Sequence, residues 1–146
     1  MHHTLREITD ADYEWLWALK REAMRRYVEA MWGEWDEELQ EDFFRKNFFP
    51  DTMRAIVIDG RDAGLLHVER HPGEIFLANI QIAPDCQNHG IGTAVVREVL
   101  ADARGAKLPV RLQVLKTNPR ARRLYERLGF KLSDETTSHW VMRSEK

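Results

Sequence analysis

At 146 residues the chain has the length of one ordinary domain, enough to bury roughly 70% of its unfolded surface without a disulfide or metal staple. Twenty-two Lys and Arg against 24 Asp and Glu give a formal net charge of -2, so no excess of cations exists to release counterions from a nucleic-acid backbone, and nucleic acid is disfavoured as the main partner. The single cysteine, Cys86, forms no internal disulfide. No apolar run approaches the roughly 18 residues that span a bilayer, and the start MHHTLREITD lacks the apolar stretch of a secretory signal. A soluble, cytoplasmic protein without a membrane partner is expected.

No repeat, low-complexity tract or Gly/Ser linker interrupts the chain, which argues for a single domain over residues 1–146. Residues His3 to Ile8 read as a short strand, and Thr9 with Asp12 forms a capping-box pattern that announces a helix. Trp15, Leu16, Leu19, Ala23, Tyr27, Ala30 and Met31 recur at spacings of three and four, giving that helix an apolar stripe that Gly33 ends. Asp36 caps a second helix through about Asn47, with Phe43, Phe44 and Phe48 expected inward and Glu37, Glu38, Glu41 and Asp42 favouring its positive end.

The period then changes. Met53 to Ile58, Gly64 to Glu69 and Ile75 to Ile82 read as an antiparallel meander, with turns at Asp59-Gly60 and His71-Pro72-Gly73. Val95, Val96, Val99, Leu100 and Ala103 restore helical spacing from Gly92 to Ala103, with Gly105 as the end signal. Val110 to Leu115 is again a strand, free to pair in parallel with Ile75 to Ile82 through a right-handed crossover. Asn118-Pro119 starts a short basic helix that Gly129 ends, and Phe130 to Ser133 and Thr137 to Arg143 form a final hairpin. The class is α+β, with a mixed sheet of about seven strands and one parallel crossover.

The most informative stretch runs from Asn79 to Thr93, a strand entering a glycine-containing loop that opens a helix. Gly90 and Gly92 let backbone N–H groups approach an anion without a Cβ in the way, and the helix start supplies unsatisfied donors. Two glycines also suit a tight turn with no ligand, so context must decide. A Walker loop needs Gly-Lys-Ser/Thr, and a dinucleotide fingerprint needs a third glycine near Val95; the chain has neither.

Gln87-Asn88-His89-Gly90-Ile91-Gly92 resembles the Gln/Arg-x-x-Gly-x-Gly/Ala pyrophosphate loop of the GNAT superfamily of acyl-CoA-dependent N-acetyltransferases. Asn118, Leu124-Tyr125-Glu126 and Gly129-Phe130 resemble its second signature, on the right elements about 25 residues further on. The resemblance is close from about Ile75 to Phe130. It implies a sheet with helices on both faces, splayed at the parallel pair for acetyl-CoA, and an enzyme passing acetyl from acetyl-CoA to a primary amine of a small molecule or peptide. It further implies that the backbone of Ile80, Gln81 and Ile82 binds the pantetheine arm, that Gln87, Asn88, His89, Gly90, Ile91, Gly92 and Thr93 surround the pyrophosphate, and that Asn118 binds pantetheine as well as capping its helix. Tyr125, almost two helical turns beyond Asn118, becomes the candidate acid: a phenol of pKa about 10 facing a thiolate whose conjugate acid titrates at about 8 to 9. A noncatalytic acyl-CoA-binding or sensing module is the alternative.

Some relatives carry a glutamate base twelve residues before the tyrosine. Here that position is Gln113, which accepts no proton, so the carry-over fails there. His67, Glu69, Glu22 and Glu34 are other candidates acting through water, and proximity alone supplies much of the rate. No cluster has zinc-ligand spacing, so no metal is expected. Arg120, Arg122, Arg123 and Arg127 form a solvated face or, in part, meet the cofactor's phosphates. Trp32, Glu34 and Trp35 join the first two helices where the resemblance puts the acceptor wall, and indoles beside carboxylates suit a cationic amine. The alternative is that Trp32 and Trp35 close the core beneath a helical hairpin. Pairing of two copies through exposed strand ends or the final hairpin stays open.

Overall fold

A computed structural model describes residues His2–Glu145. Its strands are β1 (His3–Glu7), β2 (Met53–Ile58), β3 (Arg61–His71), β4 (Glu74–Ile82), β5 (Val110–Leu115), β6 (Lys131–Glu135) and β7 (His139–Arg143). Its helices are α1 (Tyr13–Trp32), α2 (Glu37–Lys46), α3 (Ile91–Gly105) and α4 (Pro119–Arg127). The strands form one sheet in the order β1-β2-β3-β4-β5-β7-β6, mostly antiparallel, with the expected parallel pair of β4 and β5. Two compact units are distinguished: residues 1–67 with 79–89, and residues 68–78 with 90–146.

In the first unit the capping box forms as the sequence implies: Thr9 Oγ1 accepts from Ala11 N at 3.3 Å, and Asp12 Oδ2 accepts from Thr9 N at 3.0 Å. It closes a single 3-10 turn, Asp10–Asp12, that runs on into α1. Asp12 also accepts from Arg6 Nη2 at 2.7 Å, Arg6 Nη1 at 3.2 Å and Trp15 Nε1 at 2.7 Å, which joins β1 to the start of α1. Arg6 is shared with Asp62 of β3 at 2.9 Å. Gly33 ends α1 at φ 91, and Asp36 Oδ1 caps α2 by accepting from Leu39 N at 3.1 Å.

The buried side of α1 differs from the expected stripe. Leu16, Leu19 and Ala23 are buried, but so are Trp17, Lys20 and Val28, whereas Ala30 is exposed and Trp15 is half-buried on Asp12. In α2 only Phe44 is fully buried; Phe43 is 60% exposed and Phe48 half-buried. Adjacent helical residues lie about 100° apart, so Phe43 and Phe44 cannot both point straight into the core. Phe44 wins that place, with its ring 5.2 Å from Tyr13 and 5.6 Å from Trp17. Between β2 and β3, Asp59 and Gly60 both take positive φ, 50 and 83, as a two-residue hairpin turn requires. Gly64 is needed for close approach: a Cβ there would lie 2.7 Å from the Gln81 carbonyl oxygen and 3.0 Å from Ile56 Cβ.

In the second unit β4 and β5 pair over Ile75–Leu77 against Val110–Leu112, and β7 pairs with the other side of β5 along its length. Arg111 stands directly opposite Arg143 in that ladder. Glu74 relieves the repulsion, at 2.7 Å from Arg111 Nε and 3.5 Å from Arg143 Nη1. Helix α3 runs past the expected stop. Gly105 is its last residue, and the left-handed residue is Lys107 (φ 59), followed by Leu108 N donating to Ala103 O at 2.9 Å. That bond satisfies a terminal carbonyl and makes the turn without glycine. The final hairpin starts later than its sequence suggests in both strands and carries a bulge between Leu132 and Asp134. Among the described residues no helix is long and apolar enough to cross a membrane.

The Arg6 guanidinium, helped by the Trp15 and Thr9 N–H groups, holds the Asp12 carboxyl well below the usual carboxylate range. A depressed folded-state pKa stabilises the fold above the unfolded value near 4 and loses that contribution as pH falls below it. Asp12→Asn should therefore cost about 1–2 kcal/mol at pH 7. In urea titrations from pH 7 to pH 2, the variant's deficit should shrink steadily below pH 4; a constant deficit would contradict this account.

Candidate active site

The end of β4 is fixed from several sides within the first unit. Ala83 N donates to Ala63 O at 2.8 Å, and Gln87 Nε2 donates to the Ile82 carbonyl at 2.9 Å. Gln87 thus tethers the loop to its own strand. Asp85, in the 3-10 turn Pro84–Cys86, is paired with Arg61 at 2.7 and 3.1 Å, which lowers the Asp85 pKa. Cys86 is buried, and burial pushes its thiol pKa up, so it is a packing residue and not a nucleophile. Ile80 and Ile82 are half-buried.

Gln81 is the unexpected residue here. It is 4% exposed, and its Oε1 is enclosed with no hydrogen-bond partner. The Ala83–Ala63 bond puts those two residues opposite each other, so alternation places Gln81 on the face of β3 that carries Ala63, Leu65 and His67. Only its backbone was singled out from the sequence. The available signal was a polar residue at an inward position of an apolar strand.

The approach to α3 twists left-handed twice. Asn88 (φ 68) and Gly90 (φ 78) both occupy the positive-φ region, which asparagine and glycine tolerate best. Asn88, His89 and Gly90 are exposed, Gly92 and Thr93 half-buried, and Ile91 buried. Helix α3 has no side-chain cap and no acidic residue in its first turn. Its first internal bond is Ala94 N to Gly90 O at 3.0 Å, which leaves the N–H groups of Ile91, Gly92 and Thr93 without intrahelical acceptors. Helices α2 and α4 treat their starts differently: α2 has Asp36 with Glu37 and Glu38, and α4 has Asn118, while α1 continues from the capped 3-10 turn.

Asn118 Oδ1 accepts from Ala121 N at 3.2 Å, so the cap forms and the Nδ2 donors are left over. Tyr125, two turns on, is buried against Phe130, with ring centroids 5.7 Å apart at 66°. Burial pushes its pKa up to about 12. The phenol therefore keeps its proton at any physiological pH. Full transfer to a thiolate of conjugate pKa 8–9 is correspondingly uphill by about three units, roughly 4 kcal/mol.

The remaining candidates separate clearly. His67 is buried, with Nε2 2.8 Å from Thr52 Oγ1, and Glu69 Oε1 lies 3.0 Å from His71 Nε2. Glu22 and Glu34 are exposed. Gln113 is exposed on β5 opposite Val141. Trp32 is 60% exposed beside Glu34, whereas Trp35 is core, stacked on Trp17 at 6.2 Å with its Nε1 enclosed and unpartnered. Arg122 lies 4.5 Å over the Trp140 ring and 3.5 Å from Glu126. Among the described residues no group of three or more His, Cys, Asp or Glu is placed to hold a metal ion.

Residues 5–130 match the family model described as the acetyltransferase (GNAT) family. The fold is similar to that of PaiA N-acetyltransferase from Thermoplasma acidophilum in complex with coenzyme A, at TM-score 0.80 and 19% identity over 100% of both chains. It is also similar to the ribosomal-protein-S18-alanine N-acetyltransferase from Escherichia coli, at TM-score 0.72 and 21% identity over 98% of this chain and 93% of that one. Arabidopsis thaliana Naa50 in complex with the bisubstrate analogue CoA-Ac-MVNAL matches at TM-score 0.67 and 14% identity over 100% of both chains. No curated protein matches the chain in sequence.

An enclosed amide oxygen without a donor costs stability that an apolar side chain of similar shape does not, so Gln81→Met should raise stability by about 1 kcal/mol. In a thermal melt this amounts to roughly 2–4 °C for a chain of this size. A lower melting temperature would show that the amide is partnered after all.

Proposed function

The chain belongs to the acetyltransferase (GNAT) family, and we propose that it moves an acetyl group from acetyl-CoA to a primary amine of a small molecule or peptide, by direct attack in a ternary complex. The observation that carries this reading is the start of α3, whose N–H groups are left uncapped behind the left-handed turn at Gly90. Such a start suits a pyrophosphate: free donors and the positive end of the helix dipole lie together with no carboxylate beside them. The N–H groups of Ile91, Gly92 and Thr93, with the Asn88–Gly90 loop, take the phosphates. The Ile80–Ile82 backbone takes pantetheine amides.

In the reaction a neutral amine nitrogen adds to the thioester carbonyl, and the adduct collapses with loss of the CoA thiolate. Tyr125, protonated throughout, donates a hydrogen bond to the departing sulfur. The proton that restores the thiol comes in the end from the adduct's nitrogen, which becomes positively charged on attack and must lose a proton to give the amide, and not from a phenol of pKa about 12. This makes Tyr125 a stabiliser of developing charge more than a proton reservoir. For the acceptor, the exposed Trp32 with Glu34 suits a cationic amine; Trp35 supports that segment from the core. The neighbour bound to a peptide-bearing bisubstrate analogue supports a peptide amine as one acceptor class.

Acetyl-CoA and CoA, but not equimolar ATP, should raise the melting temperature, and Gly92→Trp, which fills the start of α3, should abolish the shift while leaving the unliganded melt near that of the wild type. An undiminished shift in the variant would refute the phosphate site. Binding of CoA without turnover of any amine would instead favour a noncatalytic acyl-CoA module.

Tyr125→Phe should lower kcat roughly tenfold to a hundredfold with the CoA dissociation constant nearly unchanged. Because burial raises the phenol's pKa to about 12, the wild-type kcat measured from pH 7 to pH 10.5 should rise with amine deprotonation and show no falling limb. A fall centred near pH 9 to 10 would mean that an ordinary phenol or thiol controls the step.

A further inference from the structure

Lys20 is a buried cation for which the proposed reaction has no use. It lies on α1 at 9% exposure, with its Nζ 4.9 Å from the centroid of the Phe43 ring, 5.9 Å from Trp17 and 6.0 Å from Phe44. Neighbouring carboxylates are engaged elsewhere: Glu37 with Arg21 at 3.4 Å, Glu41 with the Tyr13 hydroxyl at 3.1 Å, and Asp42 with Arg45 at 3.5 Å and Lys46 at 2.9 Å. Among the described residues none comes within 4.0 Å of Lys20 Nζ. Only Trp35 Nε1 and Gln81 Oε1 are wholly enclosed without a partner, so Lys20 Nζ, which also makes no hydrogen bond, still meets solvent. Phe43, the ring nearest to Nζ, is itself 60% exposed.

We propose that Lys20 is a site of direct Nε-acylation by acyl thioesters. The geometry favours the uncharged amine because burial strips water from the nitrogen and, among the described residues, no carboxylate holds its proton; the attraction of the three ring faces for the ammonium offsets this only in part. Burial accordingly pushes the Lys20 pKa down to about 8. The neutral nitrogen's lone pair adds to the thioester carbonyl carbon, the C–S bond breaks, and the thiolate leaves with the electron pair. The proton released from nitrogen goes to the thiolate or to solvent, giving Nε-acyl-Lys20 and one free thiol. No oxidant or other co-reactant is needed. The product suits its surroundings better than the reactant, because an uncharged amide removes the desolvation cost of a caged ammonium and lays an apolar methyl group among three aromatic rings. This goes beyond the proposed enzymatic reaction and uses none of its residues.

The test incubates the full-length protein with S-acetyl-N-acetylcysteamine, a small acetyl thioester that needs no CoA site, and follows acetylation at each lysine by peptide mass spectrometry after cleavage at acidic residues. At pH 8 about half of Lys20 is neutral, against well under 1% of an ordinary lysine of pKa about 10.4. Allowing for crowding and lower basicity, Lys20 should react about tenfold faster than the exposed Lys107. Its rate should level off above about pH 9, where an ordinary lysine is still almost wholly protonated. Phe43→Ala, which admits water to Nζ, should slow Lys20 several-fold. The Gly92→Trp variant should behave as the wild type, so failure of the acetyltransferase reading leaves this result standing. A Lys20 rate at or below that of Lys107, or one unchanged or raised by Phe43→Ala, would overturn the proposal.

Discussion

The chemistry proposed for this chain depends on hydrogen-bond donors that the protein leaves unused. Every helix start presents N–H groups without intrahelical acceptors, and an uncapped start is costly unless water or a ligand serves it. Three times the chain spends side chains on the problem: Thr9 with Asp12 ahead of α1, Asp36 at α2 and Asn118 at α4. At α3 it spends none, and it places glycine in a left-handed conformation where a cap would stand. Within the first unit the chain leading to that loop is itself tethered, with Gln87 tied to the end of β4 and Asp85 tied to Arg61.

A second theme is the set of polar groups kept in apolar surroundings without partners. Gln81 Oε1 and Trp35 Nε1 are enclosed and unsatisfied, and Lys20 Nζ lies among three aromatic rings with no carboxylate within 4.0 Å among the described residues. Each works against stability in a fold whose net margin is small. By contrast, the buried Asp12 accepts four hydrogen bonds, and Glu74 serves two arginines that face each other across a ladder. Structural polar groups here are well satisfied. The unsatisfied ones are concentrated in the first unit, on α1, on the connection to α2 and on β4.

Tyr125 shows how packing changes the meaning of a motif. Its place in Leu-Tyr-Glu suggested an acid matched to a thiol. Burial against Phe130 raises its pKa to about 12, so at neutral pH the phenol stays protonated and suits hydrogen-bond donation better than proton transfer. The same physics acts in the opposite direction on Lys20, because burial penalises whichever form is charged.

What the sequence determined by itself is whatever depends on neighbours along the chain. The caps at Thr9, Asp36 and Asn118, the stops at Gly33 and Gly129, the hairpin turn at Asp59-Gly60 and the glycine loop into α3 follow local rules about φ and backbone donors, and all stand where the sequence places them. The order of elements follows too, since period 2 and period 3.6 are written in the spacing of apolar residues. The tertiary structure alone decided which of two nearby aromatic side chains turns inward: Phe44 over Phe43, and Trp35 over Trp32. It decided that Lys107 and not Gly105 takes the left-handed turn after α3. It also set the protonation of Tyr125 and Lys20 and left the Gln81 amide without a partner. Periodicity gives the angle of a side chain about its own axis, but not what will be packed against that angle, and desolvation belongs to the surroundings and not to the residue.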